Sequence, residues 1–186
     1  IYGLKSDKYF VWGELSKLQY LNHGFSDKKI IITGSTAHDA VFQQANSSQI
    51  QNDYILLGTN SPVGLFADEI STSIRQEYED SIKTICREVI KSNKKLIVKL
   101  HPAIDQMDLT SIIHEVDPSI PIFRRGELTK LMVNCELYVN VGISTSILDA
   151  LITNKPVIYV ETRRHDLGKF DVSDYVLNTN TENFGD

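Results

Sequence analysis

A histidine and a proline stand directly after the apolar run KKLIVKL (residues 94–100). Proline restricts φ and lacks an amide hydrogen, so His101-Pro102 should end a strand and turn the chain outward. The imidazole then lies at the carboxyl edge of the strand, where open parallel sheets bind ligands. A histidine at that edge can donate a hydrogen bond to a phosphate oxygen or, if protonated, offset its charge. The alternative is that His101 only caps a turn.

A second motif of this kind is LYVNVGISTSILDA (residues 137–150). A buried strand is predicted to run into Gly142, and three hydroxyls, Ser144, Thr145 and Ser146, precede a helix. Helix amino termini present unpaired amide hydrogens and a positive dipole end, which bind phosphate well. The alternative is a capping box formed by Ser146 and Asp149. A cap uses one hydroxyl, so Ser144 and Thr145 favour a binding role.

Other polar segments follow predicted strands. Thr59 and Asn60 lie in the loop sequence GTNSP (residues 58–62), for which binding and purely structural roles are both open. Basic pairs follow two further strands, Arg124-Arg125 after IPIF and Arg163-Arg164 (with His165) after IYVET. Several cations at one sheet edge would suit a diphosphate, although arginines are also common in exposed loops.

The elements that position these residues alternate between strand and helix. The strands from Asp53 onward are short, apolar and mostly not alternating, which is typical of strands covered by helices on both faces. The clearest helix carries apolar residues three or four apart from Phe66 to Val89. This order predicts an α/β fold, a Rossmann-like parallel sheet sandwiched by helices, with right-handed crossovers.

The amino-terminal part reads as the tail end of a preceding α/β domain. YFVWG (residues 9–13) and KKIIITGS (28–35) are predicted strands that flank a helix, and a short helix over 37–44 follows. The polar stretch QQANSSQIQND predicts a linker around residues 46–52. We therefore expect a closing segment of one domain over 1–46 and a second domain over 47–186. The chain is expected to be a piece of a longer protein, whose isolated form binds nucleotide weakly and catalyses nothing.

Composition excludes few functions. The 186 residues include 41% hydrophobic and 23% charged residues, with a formal net charge of −5, which argues against bulk binding of nucleic acid. The sequence lacks a membrane-length apolar run and a signal peptide. It also lacks GxGxxG, GxxxxGK[ST] and D-x-D motifs. The two cysteines, Cys86 and Cys135, have no metal-type spacing and are expected to be buried thiols.

These motifs together resemble the carboxyl-terminal domain of GT-B fold glycosyltransferases. Three segments carry the resemblance: KLHP (residues 99–102), GISTSILDALITNKPVIYV (142–160), and the amino-terminal strand-helix-strand stretch (9–39). The chain is most similar to enzymes of surface-polysaccharide synthesis, namely CDP-glycerol glycerophosphotransferases, capsule enzymes and polysialyltransferases. In these families a serine pair, an acidic residue and a Lys-Pro pair recur, and Ser144-Thr145, Asp149 and Lys155-Pro156 match them.

The resemblance implies a domain that binds a nucleotide-sugar or nucleotide-alditol donor. His101 would contact the donor phosphates, Ser144 and Thr145 would hold them, Asp149 would lie near the ribose, and Phe123 and Arg124 would edge the base. The full set of expected donor-binding residues is His101, Pro102, Ser144, Thr145, Ser146, Asp149, Gly142, Thr59, Asn60, Phe123 and Arg124. No metal and no cofactor are expected.

The resemblance also implies partners and a location. The acceptor, a glycan or a lipid-linked glycan, and the general base would belong mainly to an amino-terminal domain that is largely missing from this chain. The enzyme would be cytoplasmic, at the inner face of the cell membrane, with peripheral membrane association and no nucleic-acid partner. One alternative is a UDP-N-acetylglucosamine 2-epimerase, which would carry Gly-Gly and Glu in place of Ser144-Thr145 and Asp149. The other is a non-catalytic nucleotide-binding module.

Overall fold

The computed structural model describes residues 6–47, 53–60, 72–103, 107–126, 128–142, 144–161 and 176–185. The chain divides into two compact units, Ile1–Ala40 and Val41–Asp186. A helix continues through Asn46 to Ser47, where the linker was expected to begin, and residues 48–52 lie outside the described residues. The predicted division into domains at residues 46 and 47 stays a prediction.

The smaller unit is one parallel strand-helix-strand motif. Its elements are β1 (Tyr9–Val11), α1 (Glu14–Asn22), a 3-10 turn (Asp27–Lys29), β2 (Ile30–Ile32) and a second 3-10 turn (Thr36–His38). α1 ends at the cap residue His23, and Gly24 follows it with φ 84°. Three rings, those of Tyr9, Tyr20 and Phe25, form a cluster with centroids 5.0–5.6 Å apart.

The larger unit contains six strands among the residues that the structure describes. After α2 (Asp39–Ser47), which spans the division between the units, the elements are β3 (Tyr54–Thr59), α3 (Thr72–Lys91), β4 (Lys95–Lys99), α4 (Thr110–Val116), β5 (Ile122–Phe123), α5 (Leu128–Asn134), β6 (Leu137–Val141), α6 (Ser146–Ile152), β7 (Val157–Glu161) and β8 (Leu177–Asn180). The part of the predicted long helix that begins at Phe66 lies outside the described residues before Thr72. The turn Asn154-Lys155-Pro156 separates α6 from β7, and Asn154 has φ 54°.

The six strands form one parallel sheet in the order β5-β4-β3-β6-β7-β8. Counted from β3 as the first strand of the unit, this is the Rossmann order 3-2-1-4-5-6. The predicted fold class, a Rossmann-like parallel sheet between helices, is therefore confirmed.

Apolar cores cover both faces of the sheet, which explains why its strands read as apolar runs. On one face, Tyr78, Ile82 and Ile85 of α3 pack in a buried cluster with strand residues. On the other face, Met132 of α5 and Ile147 of α6 belong to a second buried cluster. The carboxyl edge between these two layers positions the residues that the sequence singled out.

Candidate functional site

The strand order reverses direction between two neighbouring strands, β3 and β6. From β3 the chain proceeds outward through β4 and β5, and it then returns to β6 and proceeds outward the other way through β7 and β8. Doubly wound sheets bind ligands in the crevice at such a switch point, outside the carboxyl ends of the strands. Thr59 and Asn60 stand at that end of β3, and Gly142 stands at that end of β6.

The two chain segments at the switch point touch through their backbones. The Asn60 amide donates to the Val141 carbonyl oxygen over 3.3 Å. Gly142 has φ 79°, and a Cβ atom placed on it would lie 2.9 Å from the Asn60 carbonyl oxygen. Both the left-handed conformation and the close approach require glycine at this position. The two chain segments therefore pack directly against each other at the switch point, with the Asn60 carbonyl oxygen in the place of a side chain on Gly142.

A buried hydrogen-bond network supports the segment after Gly142. Tyr138 Oη donates to Asn140 Oδ1 over 2.9 Å and lies 2.6 Å from Ser146 Oγ. Ser146 Oγ is in turn 2.8 Å from Ser144 Oγ. Asn140 also donates through Nδ2 to the Gly142 carbonyl oxygen. Tyr138 and Asn140 are each only 1% exposed, so the network anchors the serine-rich turn to the interior of the sheet.

Burial raises the pKa of the Tyr138 phenol, which the hydrogen bond with Ser146 partly opposes. The phenol therefore donates as a neutral group at neutral pH. A second buried phenol, that of Tyr78 on α3, lies near Thr59 and the Asn60 backbone, and burial raises its pKa as well. The switch point is consequently lined from below by neutral polar groups.

The three hydroxyls of the serine-rich turn have different surroundings. Ser146 is the first residue of α6, and the Ser146 amide donates to Ser144 Oγ over 3.3 Å. The capping box considered for Ser146 and Asp149 is therefore wrong, because the Ser146 hydroxyl turns to Tyr138 and Asn140 instead. Thr145 precedes the helix, is exposed, and makes no capping hydrogen bond with its side chain. Asp149 is half-buried in the first turn.

His101 follows β4 after Leu100, and its ring is half-buried. Its Nδ1 atom accepts a hydrogen bond of 3.2 Å from the Ala103 amide. The turn at the exposed Pro102 thus uses Nδ1, so the hydrogen of the neutral ring resides on Nε2. The turn-closing interpretation of His101 therefore holds for Nδ1, and contact between Nε2 and a phosphate stays a prediction.

Phe123 ends β5 and is 37% exposed. Arg124 follows it, and Arg124 Nη2 lies 3.3 Å from Asp108 Oδ1 in an ion pair. The predicted contacts of Phe123 and Arg124 with a base stay predictions. Arg163, Arg164 and His165 lie outside the described residues.

The predicted residues follow four strands that are adjacent in the sheet. Neighbouring strands are about 4.8 Å apart, so His101 after β4 and Gly142 after β6 are separated by roughly 10 Å, with β3 between them. The sheet therefore brings His101, Thr59, Asn60 and the serine-rich turn to one edge, and places Phe123 and Arg124 at the far end of that edge.

Three other kinds of feature are relevant to function in the described residues: a surface groove, a metal-binding cluster and a membrane-spanning helix. A surface groove of about 1080 Å³ is lined by residues near the amino ends of β3 and β4, such as Asp53 and Lys95, which is the edge opposite the switch point. Within the described ranges, no three His, Cys, Asp or Glu residues are grouped so that they could hold a metal ion. None of the described helices is long and apolar enough to cross a membrane.

Three buried polar residues of this edge escaped the sequence analysis: Tyr138, Asn140 and Lys99. Asn140 carried a usable signal, since it is an amide inside the apolar run LYVNV of a predicted buried strand. A buried amide requires hydrogen-bond partners, which implies a nearby polar network. Tyr138 and Lys99 carried no such signal, because a tyrosine in a core strand and a lysine at a strand end are both ordinary.

A family profile matches residues 5–170 of the chain. The chain belongs to the LIC12162 family of transferases. The expectation of a transferase is thereby confirmed, and the family favours it over the epimerase alternative. The comparison with curated protein sequences gave no match.

Solved structures with a similar fold include S. aureus MnaA in a co-structure with UDP, with a TM-score of 0.60 at 17% identity, covering 87% of this chain and 44% of MnaA. UDP-GlcNAc 2-epimerase from Methanocaldococcus jannaschii has a TM-score of 0.56 at 20% identity, covering 94% of this chain and 51% of the epimerase. The transferase chain thus spans about half the length of these two proteins. The likeness confirms the Rossmann-like fold expected of a GT-B carboxyl-terminal domain.

Proposed function

We propose that this chain is the donor-binding part of a glycosyltransferase or glycerophosphotransferase that uses a nucleotide-activated donor to build a surface glycan. One observation carries the proposal: the sheet places the Thr145 hydroxyl, which makes no capping bond, and Nε2 of His101 at the carboxyl ends of strands on either side of β3, at the switch point. Hydroxyl and imidazole donors at the carboxyl edge of a switch point are what a phosphate group needs in order to bind there. Membership in a transferase family supports the reaction class.

The residues of the edge would divide the donor between them. Thr145 and Ser144 would donate hydroxyls to one phosphate, and Nε2 of His101 would donate to the other and so stabilise the departing nucleotide. Thr59 and Asn60 would line the floor under the phosphates, with Pro102 shaping the His101 side. Since α6 spans only seven residues, the hydroxyls rather than a long helix dipole would supply the attraction.

The Asp149 carboxylate would accept hydrogen bonds from the ribose hydroxyls, and the Phe123 ring would lie beside the nucleotide base. No metal or cofactor is part of the proposal, because His101 and the hydroxyls would serve the leaving phosphate. Affinity measured in EDTA and in excess Mg²⁺ tests this point, and equal affinity is expected. A requirement for Mg²⁺ would contradict it.

The acceptor would be a glycan or a lipid-linked glycan, bound with the general base on a larger amino-terminal domain. The smaller unit supports the existence of this larger domain. A two-stranded parallel sheet is not stable alone, and it leaves large apolar side chains exposed. Phe10 is 67% exposed, Leu15 66% and Trp12 50%. We place the whole enzyme in the cytoplasm at the inner face of the cell membrane, in synthesis of the capsule or another part of the cell envelope.

A nucleotide titration tests the proposal. The chain is titrated with UDP, CDP, GDP and CMP, and binding is followed by calorimetry and by the shift in melting temperature. UDP is the first probe, because MnaA, which shares the fold, was solved with UDP. A response to at least one nucleotide is expected. Binding of CMP but not of the diphosphates would favour a sialic-acid type of donor. If none of the four nucleotides binds, the proposal is refuted.

Matched variants locate the site. Thr145→Ala and His101→Ala should each weaken nucleotide binding about ten- to hundredfold, the size of one lost hydrogen bond to a charged group. Thr145→Ala should leave the melting temperature unchanged, because the Thr145 side chain makes no capping bond. His101→Ala should lower the melting temperature only slightly, because it removes the single turn bond from the Ala103 amide to Nδ1. Thr84→Ala on α3 serves as the control and should bind like the wild type. Unchanged affinity in both site variants would show that the nucleotide binds somewhere other than at Thr145 and His101.

A further inference from the structure

Lys99 is a buried ammonium that donates to two backbone carbonyls. It is 7% exposed, and its Nζ donates to the Leu100 carbonyl oxygen over 3.0 Å and to the Arg124 carbonyl oxygen over 2.8 Å. Within the part of the chain that the structure describes, no carboxylate pairs with it. Burial lowers the pKa of Lys99, and the nearby Arg124 lowers it further.

Burying a charge without a counter-ion costs free energy, so the fold alone does not favour lysine at this position. What Lys99 achieves is a link between two loops. Leu100 directly precedes His101, while Arg124 begins the connection that follows β5. The ammonium therefore holds the first residue of the His101 loop against the neighbouring strand end.

The Arg124 side chain makes the second half of this link. Its guanidinium lies 3.3 Å from Asp108 Oδ1. The same oxygen accepts from the Thr110 amide over 3.1 Å and from Thr110 Oγ1 over 2.6 Å, at the start of α4. Arg124 thus holds the end of the connection between β4 and α4, and Lys99 holds its beginning.

We propose that Lys99 and Arg124 are positioning residues that set the place of the His101 imidazole at the carboxyl edge, by fixing both ends of the connection that carries it. The proposal rests on the proposed function, in which His101 binds a phosphate of the donor. It gives Arg124 a role through His101 rather than through contact with the base.

Arg124→Met tests the link, and Arg125→Met is the matched control, because it removes the same charge from the adjacent position. Asp108→Asn is the second variant: its amide oxygen can still accept from Thr110, but it carries no charge for Arg124. UDP affinity is measured by calorimetry for each variant in the wild-type and His101→Ala backgrounds.

Arg124→Met and Asp108→Asn should each weaken UDP binding about fivefold in the wild-type background, a coupling near 1 kcal/mol, and should have no further effect once His101 is alanine. Arg125→Met should leave affinity unchanged. An equal loss in both backgrounds would overturn the proposal, since Arg124 would then act independently of His101. Unchanged affinity in Arg124→Met would also overturn it.

A measurement on the protein without nucleotide tests the positioning role independently of the proposed function. The ring proton signals of His101, assigned by their loss in His101→Ala, should shift in Arg124→Met and in Asp108→Asn but not in Arg125→Met. If UDP does not bind and these signals shift as expected, the proposed function fails while the positioning role stands. Unchanged His101 signals in Arg124→Met would refute the positioning role whatever UDP does.

Discussion

The phenol of Tyr138 occupies the space that a side chain on Gly58 would need. A Cβ atom on Gly58 would lie 2.0 Å from Tyr138 Oη and 2.7 Å from Tyr138 Cζ. The two residues are on neighbouring strands, because Gly58 pairs with Asn140 across β3 and β6. The absent side chain on one strand thus makes room for the network on the other.

Gly58→Ala should destabilise the larger unit. The ring of Tyr138 is fully buried and cannot move aside, so we expect a loss of about 1–3 kcal/mol in the free energy of unfolding, as for other overpacked cores. Urea unfolding followed by circular dichroism measures it. Gly13→Ala is the control, since nothing lies within 4 Å of its added Cβ and its φ is −172°. Equal stability of the two variants would contradict the contact.

Gly142→Ala should cost more than Gly126→Ala. Both glycines have positive φ, 79° and 61°, so both substitutions carry the penalty of the left-handed region, about 1–2 kcal/mol. Only at Gly142 does the added Cβ also meet the backbone, 2.9 Å from the Asn60 carbonyl oxygen. The difference between the two urea midpoints isolates that close approach, and equal midpoints would argue against it.

Ser146→Ala and Thr145→Ala should separate structure from binding. Ser146 Oγ belongs to the buried network with Tyr138 and Asn140, so its removal should lower stability by about 1–2 kcal/mol. Thr145→Ala should leave the melting temperature unchanged and weaken nucleotide binding only. The expectation fails if Thr145→Ala is the less stable of the two.

Acid should remove the contribution of the Asp108 carboxylate to the stability of the fold. Hydrogen bonds from Thr110, and to a lesser extent Arg124, hold the pKa of the Asp108 carboxyl below its usual value. A carboxyl with a depressed pKa in the folded state stabilises the protein above its unfolded pKa of about 3.9, and this is lost as pH falls through the folded pKa. The melting temperature of Asp108→Asn should therefore be below that of the wild type at pH 6 and should converge with it in stronger acid. A constant difference would exclude this linkage.

The two thiols should be inert in the folded protein. Burial raises the pKa of Cys86 to about 12 and that of Cys135 to about 11. Only the thiolate reacts, so at pH 8 labelling with a disulfide reagent should be slow without denaturant and should reach both cysteines in guanidinium. Rapid labelling of the folded chain would contradict their burial.

Much of the architecture was predictable because the buried strands are short, apolar and closely bounded. β6 occupies residues Leu137–Val141 as expected, β4 begins and ends one residue earlier than the predicted 96–100, and β7 ends one residue later than the predicted 157–160. The buried stripe of α3, which includes Tyr78, Ile82 and Ile85, follows directly from its spacing. The parallel order followed from the alternation of strands and helices.

The supports of the site were not predictable, because they depend on pairing between distant segments. Nothing local to Gly58 reveals that Tyr138 faces it, since that requires the register of β3 against β6. The local sequence at Ser146 fits a capping box, but the Ser146 hydroxyl bonds to the buried phenol of Tyr138 instead. Lys99 likewise reads as a strand-end lysine until the Arg124 carbonyl is placed beside it.

The position of β3 in the centre of the sheet has a consequence for how the molecule forms. Ile55 pairs with Leu96 on one side and with Leu137 on the other, so the two walls of the crevice come from segments far apart in the chain. Pairings of such long sequence separation form slowly. On the ribosome the crevice can exist only after Gly142 and α6 have emerged. In refolding experiments, nucleotide binding should therefore be regained in the last kinetic phase, after most of the helical signal has returned.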